Sequence, residues 1–258
     1  MDTLSTLVHE FQHMINFYQS TVSRNHNQAT WLNELLSMST EDLLSEKLGV
    51  AGPKGFTTSD GKAPAEGSDI SEGRLWYYNL YPDTPYDAWL SDSADSSGDP
   101  YVLRSYSLMY AYGAYLMRNF GGPEVLQRLQ HDATNYSDLP DALNFTSNNT
   151  EALNNSIPLF NASVLLSSRT DMEESLRFNI DGWFNYTFGG QSYRLSSLDF
   201  YSYVYPPHIY TSEEADQITS IPPRTFYFIG ETENISDKYH IETSSATEDA
   251  DIFVLLLK

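Results

Sequence analysis

The chain contains no cysteine, and it has no apolar run of membrane-spanning length. Without cysteine, nothing in the fold requires an oxidising compartment, although this absence does not by itself assign a compartment. A transmembrane helix needs about 20 apolar residues, whereas the C-terminal run Ile252 to Leu257 has the length of a strand. The sequence therefore predicts no membrane span.

Basic residues are also scarce: 14 lysines and arginines face 35 aspartates and glutamates, which gives a net charge of -21. Such a chain repels phosphate backbones, so nucleic acid is excluded as a partner. The 258 residues are 40% hydrophobic, which is enough to build a substantial core. Little lysine, 19 tyrosines and abundant serine, threonine and asparagine are typical of a secreted or cell-surface protein, and we expect a bacterial one.

Hydrophobic periodicity divides the chain into a helical part and a β-rich part. The pattern predicts main helices over residues 2–22, 30–47 and 100–120, with shorter helical pieces at 123–131 and 150–167. Residues 49–99 are predicted to be an irregular excursion that holds one short helix at most. After residue 172 the period changes to two, which predicts antiparallel hairpins around residues 178–180, 183–188 and 193–195 and strands at 224–229 and 251–257. The expected fold class is therefore α+β, with a helical core in residues 1–170 and a β-rich, antiparallel, sandwich-like C-terminal domain in residues 171–258.

The first helix carries the motif H-E-x-x-H, from His9 through Glu10 to His13. Two histidines four residues apart lie one turn apart on the same face of a helix, where both imidazoles can bind one zinc ion. They lie opposite the apolar stripe that is centred on Leu4. The motif predicts that His9 and His13 are metal ligands and that Glu10 is the general base.

A catalytic zinc ion has three protein ligands and one open position, so a third donor is expected downstream. The best candidate is Glu34, which lies 21 positions beyond His13 in the stretch W-L-N-E and opposite the apolar stripe of its own helix. Glu41 lies on nearly the same face as Glu34. It is either the alternative third ligand or a hydrogen-bond partner for one of the histidines.

These two segments together resemble a known family. The stretch HEFQHMINF from His9 to Phe17, followed by WLNELLSMSTEDL from Trp31 to Leu43, resembles the gluzincin metallopeptidases and particularly their hyicolysin-like branch. W-L-N-E is also similar to the zinc aminopeptidases that share the gluzincin core. The resemblance is strong over residues 2–47 and loose over residues 100–167.

The resemblance implies a helical, zincin-type catalytic core that binds Zn²⁺ and cleaves protein or peptide substrates. In gluzincins a strand-rich subdomain precedes the active-site helix, and His9 comes too early for one, so we expect this chain to lack that upstream part. A thermolysin-like aspartate would stand four residues after Glu34, where this sequence has Met38. The resemblance is therefore not to thermolysin itself.

A further donor should stabilise the negative oxygen that develops during peptide hydrolysis. Tyr110 precedes Gly113-Ala114 in a stretch that resembles the corresponding segment of gluzincin aminopeptidases. Tyr106 lies one helical turn earlier on the same face and competes for the role. Both tyrosines are alternatively interpreted as packed aromatic residues.

The expected activity is zinc-dependent hydrolysis of peptide bonds by a metalloendopeptidase. The alternatives are a zinc aminopeptidase and a catalytically silent surface binding protein that retains the zincin fold. An aminopeptidase needs an acidic anchor for the free amine of its substrate, upstream of the histidine motif. The sequence carries no signal of oligomeric state.

Overall fold

The computed structural model describes residues 3–57, 73–86, 89–90, 101–133, 156–219 and 225–230. Within these ranges the α-helices are α1 (Thr3–Phe17), α2 (Thr30–Leu48), α3 (Leu75–Leu80), α4 (Tyr101–Asn119), α5 (Pro123–Asp132), α6 (Ser156–Leu165) and α7 (Ser212–Ala215). A π-helical turn, Tyr18–Val22, extends α1, and short 3-10 turns occupy Gly52–Lys54 and Phe200–Ser202. Strands β1 (Trp183–Phe188) and β2 (Gln191–Ser196) form a two-stranded antiparallel sheet.

Helix α2 is the centre of the fold and is buried on nearly every side. Leu32, Leu35 and Leu36 are fully buried and belong to the hydrophobic core. On the side of α4, Gly113 allows a close approach, because a Cβ atom at that position would lie 2.2 Å from the hydroxyl oxygen of Ser39. The helix ends at Gly49, whose φ of 66° is the left-handed conformation that suits glycine at a helix C-terminus. The central position of α2 lets it contact α1 and α4 at the same time.

Helix α1 packs against α2 through its polar side. Its buried residues are Ser5, Gln12 and Asn16. The apolar residues of α1 and the following turn are partly or largely exposed: Leu4, Leu7, Phe11, Met14, Ile15, Phe17, Tyr18 and Val22. The predicted amphipathic helix is present, with its apolar side turned outward, because the polar side makes the hydrogen bonds described below.

A buried group of charges joins α2 to α4 and to the 3-10 turn at Gly52–Lys54. The carboxylate of Asp42 accepts hydrogen bonds from Lys54 at 3.2 Å and from Arg118 at 3.0 Å. Arg118 also donates to the backbone carbonyl of Ser196 in β2 at 2.8 Å and 3.0 Å. All three charged side chains are almost completely buried. Because buried charges are costly without partners, this mutual pairing fixes the relative positions of four segments.

The hairpin predicted around residues 183–188 and 193–195 is confirmed, with a second strand that spans Gln191–Ser196. Phe184 pairs with Leu195 across the two strands, and both residues lie in the core. Gly189 and Gly190 have φ angles of 56° and 73°, as a two-residue type I′ turn requires.

The other predicted strands are not present as strands in the described ranges. Residues 178–180 form no strand, and the described part of 224–229 contributes a single bridge, between Ile229 and Tyr210. Residues 251–257 lie outside the described ranges. The class is α+β, and within these ranges the sheet is one two-stranded hairpin, while the sandwich-like arrangement stays a prediction. Hairpin residues join the helical residues in one core because one face of the small sheet packs on the helices.

The helix predictions at 30–47 and 123–131 are confirmed within one residue. The helix predicted at 100–120 is Tyr101–Asn119, and that predicted at 150–167 is Ser156–Leu165, with residues 99–100 and 150–155 outside the described ranges. The short helix expected in the irregular excursion is α3. Among the described residues, no helix is both long and apolar enough to cross a bilayer. The division into two domains at residue 170 stays a prediction.

Candidate metal centre

The two predicted histidines and Glu34 come together where α1 crosses α2. The Nε2 atom of His9 lies 3.2 Å from Oε2 of Glu34, and Nε2 of His13 lies 3.6 Å from Oε1 of the same carboxylate. One ligand atom from each of the three residues lies within 4.8 Å of the other two. Atoms that bind one zinc ion tetrahedrally at about 2.0–2.1 Å are roughly 3.3 Å apart. The two nitrogen–oxygen separations are close to this value, and they involve different oxygens of the Glu34 carboxylate.

The burial and donor chemistry of Glu34 also fit a metal ion. Its side chain is only 12% exposed, and its Oε2 atom is buried without a hydrogen-bond donor at normal geometry. A buried carboxylate oxygen is costly unless a cation reaches it, and a metal ion or the protonated imidazole of His9 can be that cation. Two imidazole nitrogens and one carboxylate oxygen are a common ligand set for catalytic zinc, which keeps a fourth position open. The residues present thus fit the ion that the sequence predicts.

Glu41 holds His9 from the other side of the ring. Nδ1 of His9 lies 2.8 Å from Oε1 of Glu41, and the hydroxyl of Ser5 donates to Oε2 of the same carboxylate. Glu41 is therefore a hydrogen-bond partner of His9, and the group of possible metal ligands contains Glu34 instead. An Nδ1 atom that donates to a carboxylate leaves Nε2 free to face Glu34, as in the carboxylate–histidine–metal arrangement.

The two carboxylates also shift the acid–base equilibrium of His9. Burial alone lowers the pKa of its imidazole, but Glu34 and Glu41 outweigh burial and raise the pKa to about 9. In the metal-free chain the imidazole is therefore protonated near neutral pH, and the proton on Nε2 faces Glu34. A metal ion that binds at Nε2 replaces this proton, so metal and proton compete for the same nitrogen.

His13 is held by neutral partners. Its Nδ1 atom lies 3.0 Å from Oδ1 of Asn33 and 3.1 Å from the hydroxyl of Ser37. The same Oδ1 atom accepts a 2.7 Å hydrogen bond from the amide of Asn16. Because Oδ1 of Asn33 is an acceptor, Nδ1 of His13 donates to it and Nε2 keeps the lone pair that a metal needs.

Glu10 lies between the two histidines and is exposed to solvent. It follows His9 by about 100° around α1 and precedes His13 by three residues, so it borders the histidine face without belonging to the buried polar side. An exposed carboxylate at the edge of this site can accept a proton from a bound water and release it again.

The two candidate tyrosines lie in different environments. Tyr110 is fully buried, and burial followed by the charge of Asp42 raises the pKa of its hydroxyl well above the usual range. Tyr106 is partly exposed, and its ring stacks against Arg74, with Cζ 4.7 Å from the ring centroid. Arg74 interacts electrostatically with Glu41 and Glu34. Of the two tyrosines, Tyr106 is thus the one that contacts a side chain interacting with the carboxylates of the candidate site.

Several of these supporting residues were not assigned a role from the sequence. Ser5 precedes His9 by four residues and Asn16 follows His13 by three, so both lie on the histidine face of α1. Asn33 stands in W-L-N-E beside the predicted ligand, and Ser37 follows Glu34 by three residues. Helical spacing from the predicted ligands would have identified Ser5, Asn16 and Ser37, but not Asn33, which is the sequence neighbour of Glu34.

Comparison with models of known protein families gives no match to this chain. Comparison with curated proteins gives no significant match either.

Proposed function

We propose that this chain is a zinc-dependent peptidase of gluzincin type that cleaves internal peptide bonds of proteins or peptides. The observation that carries the proposal is the convergence of His9, His13 and Glu34, each with one ligand atom within 4.8 Å of the other two, beside an exposed glutamate in the H-E-x-x-H motif. A structural zinc site does not require such a carboxylate beside its ligands. The presence of Glu10 therefore favours hydrolysis over a purely structural metal site.

Bound zinc would supply a positive charge that polarises the peptide carbonyl and lowers the pKa of water. His9, His13 and Glu34 would hold the ion, and Glu41 and Asn33 would orient the two imidazoles. Glu10 takes the proton from the attacking water and later delivers it to the leaving amine. The hydroxyl of Tyr106 or Tyr110 donates a hydrogen bond to the developing oxyanion, and the contacts of Tyr106 favour it.

The fold and location belong to the same proposal. The helices that carry the ligands would be the zincin-type core, followed by a sandwich-like C-terminal domain. A secreted or cell-surface bacterial protein fits the composition of the chain.

Two alternative functions would use the same metal centre. A zinc aminopeptidase would use the same three ligands and would cleave only peptides with a free N-terminus. A silent binding protein would retain zinc and cleave nothing. Peptides with free and acetylated N-termini, together with an unstructured protein such as casein, separate these three functions.

The decisive experiment compares the parent chain with Glu10→Gln. The parent is expected to bind about one zinc ion per chain and to cleave casein, with the cleavage abolished by a chelator. Glu10→Gln should keep the zinc and lose roughly 10²–10⁴-fold in rate. Glu174→Gln, at an exposed glutamate that pairs with Arg177, is the matched control and should keep both properties. Equal rates for the parent and Glu10→Gln would refute the mechanism.

A further inference from the structure

The backbone of Arg74 is fixed on both sides where the chain enters α3. Its amide donates to the carbonyl of Pro53 at 2.8 Å, and its carbonyl accepts from the hydroxyl of Ser107 in α4 at 2.9 Å. The preceding Gly73 lies so close to Lys54 that an added Cβ would be 2.9 Å from its carbonyl oxygen. The side chain of Arg74 therefore starts from a rigid point between α4 and the 3-10 turn.

From this point the guanidinium lies against Tyr106, with Cζ 4.7 Å from the ring centroid. Trp89 also contacts Tyr106, with the two ring centroids 4.8 Å apart in an edge-on arrangement. Arg74, Tyr106 and Trp89 together form one wall. Both aromatic residues and Arg74 are half-buried, so the wall is open to solvent. A planar guanidinium that lies over an aromatic ring keeps its N–H donors in its own plane, where they can reach other partners.

Arg74 differs from the buried cations Lys54 and Arg118 in its ion pairing. Lys54 and Arg118 each form an ion pair with Asp42. For Arg74, no carboxylate within the described ranges lies at ion-pair distance, although Glu41 and Glu34 are near enough to interact electrostatically. Burial lowers the pKa of this guanidinium more than the neighbouring carboxylates raise it. With respect to the described residues, Arg74 is thus a partly desolvated cation without an ion-pair partner, and its N–H groups can donate to an anion that enters the site.

From this arrangement we propose that Arg74 binds a carboxylate of the peptide substrate, so that the metal centre prefers peptides with an acidic group near the cleaved bond. The inference rests on the proposed function in that the carboxylate belongs to a peptide lying beside His9, His13 and Glu34. Guanidinium and carboxylate form paired, charge-assisted hydrogen bonds, which are stronger than neutral ones. The group can be a glutamate or aspartate side chain or the C-terminal carboxylate of the peptide.

Binding to a form that does not turn over tests this preference without relying on hydrolysis. The zinc-loaded Glu10→Gln chain is titrated with fluorescein-labelled neutral ten-residue peptides in which one glutamate occupies each position in turn, and with the glutamine counterparts. A second arm compares peptides that end in a free carboxylate with those that end in an amide. We expect glutamate at one position, or the free C-terminus, to tighten binding about tenfold to a hundredfold.

The same titration with Arg74→Gln added should abolish this preference while zinc content stays at the parent level. Arg74→Lys should retain part of it, because a lysine keeps the charge without the paired geometry. Arg169→Gln removes an exposed arginine that pairs with Asp171, and it should keep the full preference. Equal binding of acidic and neutral peptides, no binding of any peptide, or a preference that survives Arg74→Gln would overturn the inference. Casein cleavage by the parent chain is scored separately, so a failure of the proposed function is distinguished from a failure of the role of Arg74.

Discussion

Glu41 and His9 are joined by a hydrogen bond of 2.8 Å between Oε1 and Nδ1, on the side of the imidazole opposite to Glu34. This contact determines which ring nitrogen faces the metal position. Loss of such a partner typically lowers metal affinity about 10–100-fold.

We expect Glu41→Gln to weaken zinc binding by that factor, because an amide cannot attract the imidazole N–H as a carboxylate does. Competition with a chromogenic chelator measures the affinity. Glu46→Gln, on the same helix and paired with the exposed Arg194, is the control and should leave the affinity unchanged. An unchanged affinity in Glu41→Gln would show that the carboxylate does not position the ring.

Zinc should stabilise the folded chain, because its three ligands come from two helices that are separate in the unfolded state. At free zinc about 100-fold above the dissociation constant, the expected gain is about 2.7 kcal/mol. Thermal unfolding with zinc and with a chelator measures the difference. His13→Ala removes one ligand and should abolish most of the zinc-dependent shift. A shift of the same size in His13→Ala would exclude this residue as a ligand.

The two tyrosines are separated by paired conservative variants. Tyr106→Phe keeps the ring against Arg74 but removes the hydroxyl, and we expect the turnover rate to fall about 10²–10³-fold with little change in stability. Tyr110→Phe should leave the rate near that of the parent, because Tyr110 is buried beside Asp42. Steady-state kinetics on a fluorogenic peptide decides between them. The reverse ranking of rates would identify Tyr110 as the donor.

The convergence of His9, His13 and Glu34 was predictable from the sequence because helical spacing constrains it strongly. A spacing of four positions places His9 and His13 on one face of α1, and Glu34 follows in a stretch with the same helical period. Periodicity does not reveal which side of a helix faces the core. The polar side of α1 is inside because Asn16 and the two histidines bond to α2, a long-range relationship that the local pattern does not contain.

Arg74 illustrates the same limit for the site itself. It belongs to no motif and lies 40 positions beyond Glu34 in the sequence. Only the packing of α3 on α4, through the Ser107 and Tyr106 contacts, brings it near the metal centre. The main helices and the hairpin of β1 and β2 were therefore predictable from local patterns, whereas the strand predicted at 178–180 is absent and residues supplied by tertiary packing were not predictable.

Asp42 should couple the stability of the fold to acid pH. Burial tends to raise the pKa of this carboxyl, but Arg118 and Lys54 outweigh burial and hold the pKa below its usual value. Its stabilising effect is complete above the unfolded pKa of about 3.9 and is lost as pH falls through the lower folded value.

Asp42→Asn leaves Lys54 and Arg118 buried without a counter-charge, so we expect a loss of about 3–5 kcal/mol in the free energy of unfolding near neutral pH. Denaturant unfolding from about pH 6 to pH 2 measures both effects. The variant should be less stable at neutral pH and should lose less stability than the parent on acidification. Parallel pH profiles for the two proteins would contradict the role assigned to this carboxylate.

Because the apolar side of α1 faces outward, we expect substitutions of its hydrophobic residues to cost little stability, unlike substitutions of hydrophobic residues in the core. Leu7 and Met14 are 63% and 66% exposed, whereas Leu36 on α2 is fully buried. Leu7→Gln and Met14→Gln should therefore change the free energy of unfolding by no more than about 0.5 kcal/mol. Leu36→Ala should cost about 2–5 kcal/mol, because it leaves a cavity in the core. Urea denaturation of the three variants measures the contrast at equal protein concentration. A cost for Leu7→Gln as large as that for Leu36→Ala would mean that this side of α1 is covered in solution. The variant would then also be expected to change the oligomeric state or to bind a hydrophobic dye more strongly.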